Sequence, residues 1–345
     1  MNALTGTATL TRLALRRDRV LLPAWVLGLA AFAASTAALW ADGFANPADL
    51  IKETQVTAAS PGIRMLGLAS GATVGGYAMV RNFVLLAVLA ALMSTFAVVR
   101  HTRQGEETGR AELVGAAVVG RYAGLAAALV VAVAANALLA AALGLALAAV
   151  GLPAAGSFTA GAAVASVGVA FAGVTAVTAQ LTASTRGASG LAAAVLGFAY
   201  VTAGVGNVAG DVDASGLRVD SAWPAWLSPI GWGQQMRPYG GDHWWPLGLA
   251  VAVFVLGACL AALLAARRDF GLGLLPQRPG HAGAGRALRS PLGLALRLQR
   301  GALLGWAVGM FGFGLIMGGL IGQVRDSTGG TRDWYAQLGG SDQIL

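Results

Sequence analysis

Charge is scarce in this sequence: 11% of its 345 residues are Asp, Glu, Lys or Arg, against about 25% in an ordinary soluble domain. Residues 122 to 185 carry none at all, a stretch long enough for two bilayer crossings at about 20 apolar residues each. A soluble globular fold is thereby excluded. Cysteine is nearly absent, with Cys259 alone in an apolar run, which excludes a disulfide framework and a cysteine-based metal site. The three histidines, His101, His243 and His281, are far apart and never at metal-ligand spacing, so no metal is expected. Lys52 is the only lysine, and no glycines precede it in Ile51-Lys-Glu-Thr54. A phosphate-cradling Gly-x-x-x-x-Gly-Lys-[Ser/Thr] loop is therefore missing, and the chain carries no ATPase site of that kind. With no catalytic constellation either, a transport or structural role is expected rather than an enzyme.

What is abundant is small and apolar. Hydrophobic residues make up 57% and glycine 50 positions, with a mean hydropathy of +0.69. Glycine and alanine let helix backbones approach closely in lipid, where apolar burial no longer drives association. The expected fold is an all-α polytopic membrane protein. Seven stretches are long and apolar enough to span: Val20–Trp40, Phe83–Val99, Ala123–Val150, Phe158–Leu181, Gly187–Val208, Pro246–Ala266 and Gly301–Ile321. Residues 1–19, with Arg12, Arg16, Arg17 and Arg19 among leucines, read as an amphipathic helix in the interface plane.

Arginine distribution orients the chain. With the N-terminus in the cytoplasm, the cytoplasmic segments hold 16 basic and 5 acidic residues, and the opposite side 7 basic and 10 acidic. That bias fixes the N-terminus inside. The net charge of +8 is thus accounted for by topology, and nucleic acid is dropped as a partner.

The chain also repeats itself. Leu13–Gly28 and Leu294–Gly309 match at eight of sixteen positions at an offset of 281, including Arg16/Arg297, Arg19/Arg300, Trp25/Trp306 and Gly28/Gly309. Six spans return the chain to the cytoplasm, so the seventh restarts the unit in the same orientation, a parallel repeat of the kind transporters use. The expected organisation is an interfacial helix (1–19), a six-span unit (20–268), a cytoplasmic linker (269–290) and the start of a second repeat (291–345). A complete second copy would bring the chain to about 560 residues by doubling the offset, so a fragment of a longer protein is expected.

Between the second and third spans lies a charged segment, Arg100-His-Thr-Arg-Gln-Gly-Glu-Glu-Thr-Gly-Arg-Ala-Glu-Leu-Val-Gly-Ala-Ala-Val-Val-Gly-Arg121. A helix over 100–121 is expected, with Glu106 and Arg110 as an i,i+4 ion pair. The pattern of Glu106, Glu107, Gly109, Arg110 and Glu112 after the second of six spans resembles the coupling helix of ABC exporter permease subunits. The repeat and composition resemble one branch, the actinobacterial polyketide-antibiotic and multidrug exporter permeases of the tetronasin-resistance type.

That resemblance implies a permease of an ATP-driven efflux pump in the bacterial cytoplasmic membrane. It would export hydrophobic or amphipathic compounds, such as antibiotics, and be energised by a separate ATP-binding subunit that carries ATP and Mg. The five coupling residues would dock on that subunit. One departure is the run Leu113-Val-Gly-Ala-Ala-Val-Val-Gly-Arg121, where the family usually has a second Leu and a Pro.

The loop over 211–245, with Trp223, Trp226, Pro229 and Trp232, is similar to the family's re-entrant outer gate, and an interfacial aromatic belt remains the other reading. Asn136, Gln180 and Asn207 stand within apolar spans, as substrate contacts or as hydrogen bonds between helices. The alternatives are an ion-coupled secondary drug transporter, which would want ionisable groups at membrane depth, and a non-transporting assembly or immunity protein.

Overall fold

The computed structural model describes residues 2–44, 46–110, 112, 116–269, 271–275, 283, 285, 288 and 290–326. Two compact units divide the chain: Met1–Ala59 with Ile63–Pro276, and Ser60–Gly62 with Gln277–Leu345.

In the first unit α1 (Thr7–Arg17) leads into α2 (Leu21–Gly43), α3 (Pro47–Ala59), α4 (Pro61–Leu66) and α5 (Val74–His101). A single turn, α6 (Arg103–Glu107), precedes α7 (Ala123–Ala149), α8 (Ala154–Leu181) and α9 (Thr185–Val208). A two-stranded hairpin, Asp211–Val212 with Val219–Asp220, and a 3-10 turn, Trp223–Leu227, lead to α10 (Pro229–Gln235) and α11 (Leu247–Arg267). Among the described residues six helices are long and apolar enough to cross a bilayer, so the protein is an all-α polytopic membrane protein.

Packing follows the small-residue composition. α8 is the most buried span and lies against α5, α7 and α11. Its contact with α11 is backbone to backbone: a Cβ on Gly173 would stand 2.7 Å from the Phe254 Cα, and one on Gly257 2.6 Å from the Gly173 carbonyl. Neither position has room for a side chain, and lipid offers no other force to bring helices this close.

One expectation changes here. The second span begins at Val74, nine residues before Phe83, because Thr73 caps it by accepting from the Gly76 N–H at 3.0 Å. Arg81 consequently lies inside the helix, where it donates to the Tyr77 hydroxyl and meets Glu53 at 3.4 Å. That pair is about one-third exposed and contributes little to stability.

The second unit contains α12 (Pro291–Asp326), one helix of 36 residues, about 54 Å long at 1.5 Å per residue. The expected interfacial segment and the span Gly301–Ile321 are continuous in it. Leu298, Leu304, Trp306, Val308 and Phe311 on it are each at least 65% exposed. The expected linker over 269–290 falls largely outside the described residues, as does the chain from 327 to 345.

Candidate functional site

The ends of α5, α8 and α11 and the starts of α7 and α9 meet at one end of the bundle, together with α1. Thr102 breaks the path of α5 with φ −117° and ψ −86° while its hydroxyl donates to the Val98 carbonyl at 2.6 Å. The chain then turns once, in α6, and this turn carries the charged groups.

Arg103 is wholly buried. Its Nε donates to the Ala179 carbonyl at 2.9 Å, as does its Nη2, and its Nη1 donates to Glu106 at 2.8 Å and to the Leu272 carbonyl at 3.2 Å. The Ala179 carbonyl belongs to the last turn of α8, where helix carbonyls have no partner within the helix, so the guanidinium supplies the missing donors. Arg268, just past α11, reaches the same carboxylate: Nη1 donates to Glu106 Oε2 at 2.8 Å and Nη2 to Oε1 at 2.5 Å. Its Nε donates to Gln180 Oε1 at 2.7 Å. Glu106 is thus held by a two-pronged guanidinium bond, the strongest geometry open to a carboxylate, and by a second arginine from the other side.

Glu107 goes elsewhere. Its carboxylate accepts from the Thr185 N–H at 3.0 Å and from the Thr185 hydroxyl, at the N-terminus of α9 where free amides and the helix dipole favour an anion. α6 is therefore tied to α8 through Arg103, to the end of α11 through Glu106 and to α9 through Glu107.

After this turn the character changes. Gly109 has φ +72°, a left-handed conformation that glycine adopts without penalty, and its N–H closes on the Glu106 carbonyl at 3.1 Å. Beyond it Arg110 and Glu112 are exposed. The expected single helix over 100–121 is thus interrupted at Thr102 and Gly109, and residues 116–122 are turns and extended chain. The expected Glu106–Arg110 pair gives way to Arg103 and Arg268, because two buried guanidinium groups outcompete one solvated partner. Residues 111 and 113–115 lie outside the described residues.

Asp18, between α1 and α2, is a further buried carboxylate at this end. It is 1% exposed, with Oδ2 2.6 Å from His101 Nε2 and Oδ1 3.1 Å from Arg100 Nε. It fastens the N-terminal helix to the end of α5. Sequence reasoning missed Asp18, Arg103, Thr185 and Arg268 as members of one cluster. The arginines were absorbed into the count of loop charges, and their partners are up to 169 residues away.

At the opposite end the proposed gate residues take different positions. Ser228 caps α10 by accepting from the Ile230 and Gly231 N–H groups and donates to the Ala199 carbonyl at 2.6 Å. Pro229 and Ile230 are buried, and Trp232 Nε1 donates to the Trp226 carbonyl at 2.6 Å. Trp226 stacks on Trp245 with centroids 5.3 Å apart, while Trp223 is 73% exposed. The loop thus sends α10 into the core and leaves Trp223, Trp244 and Trp245 at the surface.

The three candidate path residues are not brought together. Asn136, midway along α7, donates to Ser94 of α5 at 2.7 Å. Gln180 belongs to the arginine cluster, and Asn207 donates to Gln234 at 2.9 Å and accepts from Ser221 at 2.7 Å. Each bridges elements of the bundle.

Comparison with known proteins bears on this geometry. The family model described as "Multidrug efflux system permease Rv1217c, C-terminal domain" matches residues 288–345. Along 349 aligned positions the chain is 38% identical to the "Multidrug efflux system permease protein Rv1217c" of Mycobacterium tuberculosis (strain ATCC 25618 / H37Rv), an alignment covering 99% of this chain and 61% of that protein. The chain is similar to a multidrug efflux permease. It spans about three-fifths of that relative's length.

Proposed function

We propose that this chain is the membrane-spanning permease part of an ATP-driven efflux pump of the ABC type, exporting hydrophobic or amphipathic compounds, with polyketide-type antibiotics among the candidates. A separate ATP-binding chain, carrying ATP and Mg, docks at the arginine-rich end, which faces the cytoplasm. The observation that carries the reading is the two-part segment after α5. Arg103, Glu106 and Glu107 fasten it to the ends of α8 and α11 and the start of α9, and Arg110 and Glu112 stand exposed just beyond. Such a segment passes a push from outside the membrane to three helices at once. Identity of 38% along nearly the whole chain with a multidrug efflux permease supports the export side of the reading. The match from residue 288 and the unit boundary near Gln277 support a second structural part after the linker.

The test is drug resistance in a sensitive host expressing Glu106→Ala plus Glu107→Ala at wild-type level. Resistance should fall to that of cells without the protein, because a docked partner then pushes on a segment that has lost its ties to α9 and α11 and keeps only the Arg103 tie to α8. Full resistance in the double variant would end the coupling assignment.

A further inference from the structure

A cavity of about 560 Å³ opens beside the arginine cluster, at the level where α5 and α11 end and α7 begins, within the range of about 300–1,000 Å³ typical of ligand pockets. Its lining joins two chemistries. Leu10, Leu13 and Leu125 are apolar, and five arginines face the same space, with Glu106 the only carboxylate among the lining residues. That carboxylate is already taken by Arg103 and Arg268, and Asp18 behind it by His101 and Arg100. Arg121 is also engaged, donating to the Ala265 and Ala266 carbonyls at the end of α11.

Four guanidinium groups keep donors to spare. Among the described residues Arg17 and Arg110 have no hydrogen-bond or ion-pair partner, Arg100 engages Asp18 through Nε alone, and Arg121 donates through Nη2 alone. Positive groups sharing one cavity favour an anion there. The neighbouring leucines favour an anion that carries an apolar part.

We propose that this cavity is a binding site for an anionic phospholipid, its phosphate held by Arg17, Arg100 and Arg110 and its glycerol and first methylenes lying against Leu10, Leu13 and Leu125. Basic pockets between spans on the cytoplasmic side hold lipid headgroups by the same combination. Because α1 supplies Leu10, Leu13 and Arg17, the lipid would clamp the N-terminal helix to α7 and to the segment carrying Arg110.

Native mass spectrometry of the purified chain, titrated with phosphatidylglycerol, phosphatidylcholine or inorganic phosphate, tests this. Phosphatidylglycerol should bind about tenfold or more tightly than phosphatidylcholine, and Arg17→Gln with Arg110→Gln should abolish most of that preference. Arg17→Lys should retain it, since the charge remains. None of these side chains has an internal partner, so the variants keep the fold. Equal binding of the two lipids, an unchanged preference in the double glutamine variant, or inorganic phosphate competing as well as the lipid would each overturn the proposal. The assay needs no ATP-binding partner, so its failure leaves the efflux reading untouched.

Discussion

An arginine caps the C-terminus of a span at each end of the bundle, and the two arginines differ in what else they hold. At the tryptophan-rich end Arg64 donates through Nε to the Asn207 carbonyl at 2.9 Å and through Nη2 to the Gly210 carbonyl. Its pKa is lowered chiefly by burial and partly restored by Asp211. It touches backbone only. At the other end Arg103 satisfies the Ala179 carbonyl and also grips Glu106, which Arg268 grips in turn. One arginine closes off a helix; the other, itself on the turn after α5, ties that turn to the end of α8 and shares Glu106 with Arg268 past α11. A bond to backbone alone fixes one helix end, whereas the shared carboxylate joins two.

The same contrast runs through the rest of each end. The tryptophan-rich end is wedged by packing: Tyr239 sits so close to Gly75 that a Cβ there would stand 2.7 Å from its ring, and Gly156 crowds it from the other side. Its hydroxyl shares a hydrogen bond of 2.9 Å with Ser157. Burial, with a smaller push from Asp242 and against the lowering effect of the Ser157 hydrogen bond, raises its pKa to about 12, so it stays neutral at any physiological pH and this end has no proton-dependent latch at Tyr239.

Four substitutions sharpen the contrast, and thermal or denaturant unfolding of the purified chain reads them all. Glu106→Ala leaves Arg103 and Arg268 buried without their anion and should cost about 3–5 kcal/mol. A loss under 1 kcal/mol would mean the two arginines are solvated. Gly156→Ala at the opposite end forces Tyr239 aside and should cost about 1–3 kcal/mol, with efflux surviving wherever the chain folds. Thr185→Val removes the hydroxyl that Glu107 accepts from while the N–H remains, for about 1 kcal/mol, and should lower efflux more than stability. Trp223→Ala, at a surface position, should stay within about 0.5 kcal/mol.

Much of this was legible from composition and pattern. The six spans of the first unit follow from apolar length, since nothing but a helix satisfies its own backbone in lipid. The charged segment stood out because charge is so scarce. Its internal geometry did not, because the i,i+4 rule sees only neighbours on one helix, and Glu106 chose Arg268 from 162 residues away.

The repeated pattern shows the other limit. Leu13–Gly28 and Leu294–Gly309 agree at half their positions, yet the first copy breaks between α1 and α2 and the second runs straight in α12. At the break stands Asp18, buried against His101 and Arg100, where the second copy has Gln299. The identities describe the helices, and the break falls where the copies differ, at Asp18 and at Pro23, which has no N–H to continue the helix, against Gln299 and Leu304. Asn136, Gln180 and Asn207 follow the same rule: polar groups in apolar spans are conspicuous in sequence, but which helix each one bridges is settled by the fold.

The most direct measurement separates docking from transmission in one experiment. Tagged wild type, Glu106→Gln, and Arg110→Glu with Glu112→Arg are captured from membranes of the native host and scored for a stoichiometric ATP-binding chain, alongside efflux at equal expression. The expected result is that wild type and Glu106→Gln both retain the ATP-binding chain, the charge-swapped variant loses it, and efflux is lost in both variants. Wild type without an ATP-binding chain, or undiminished efflux in Glu106→Gln, would contradict the division of the segment into a docking part and a transmitting part.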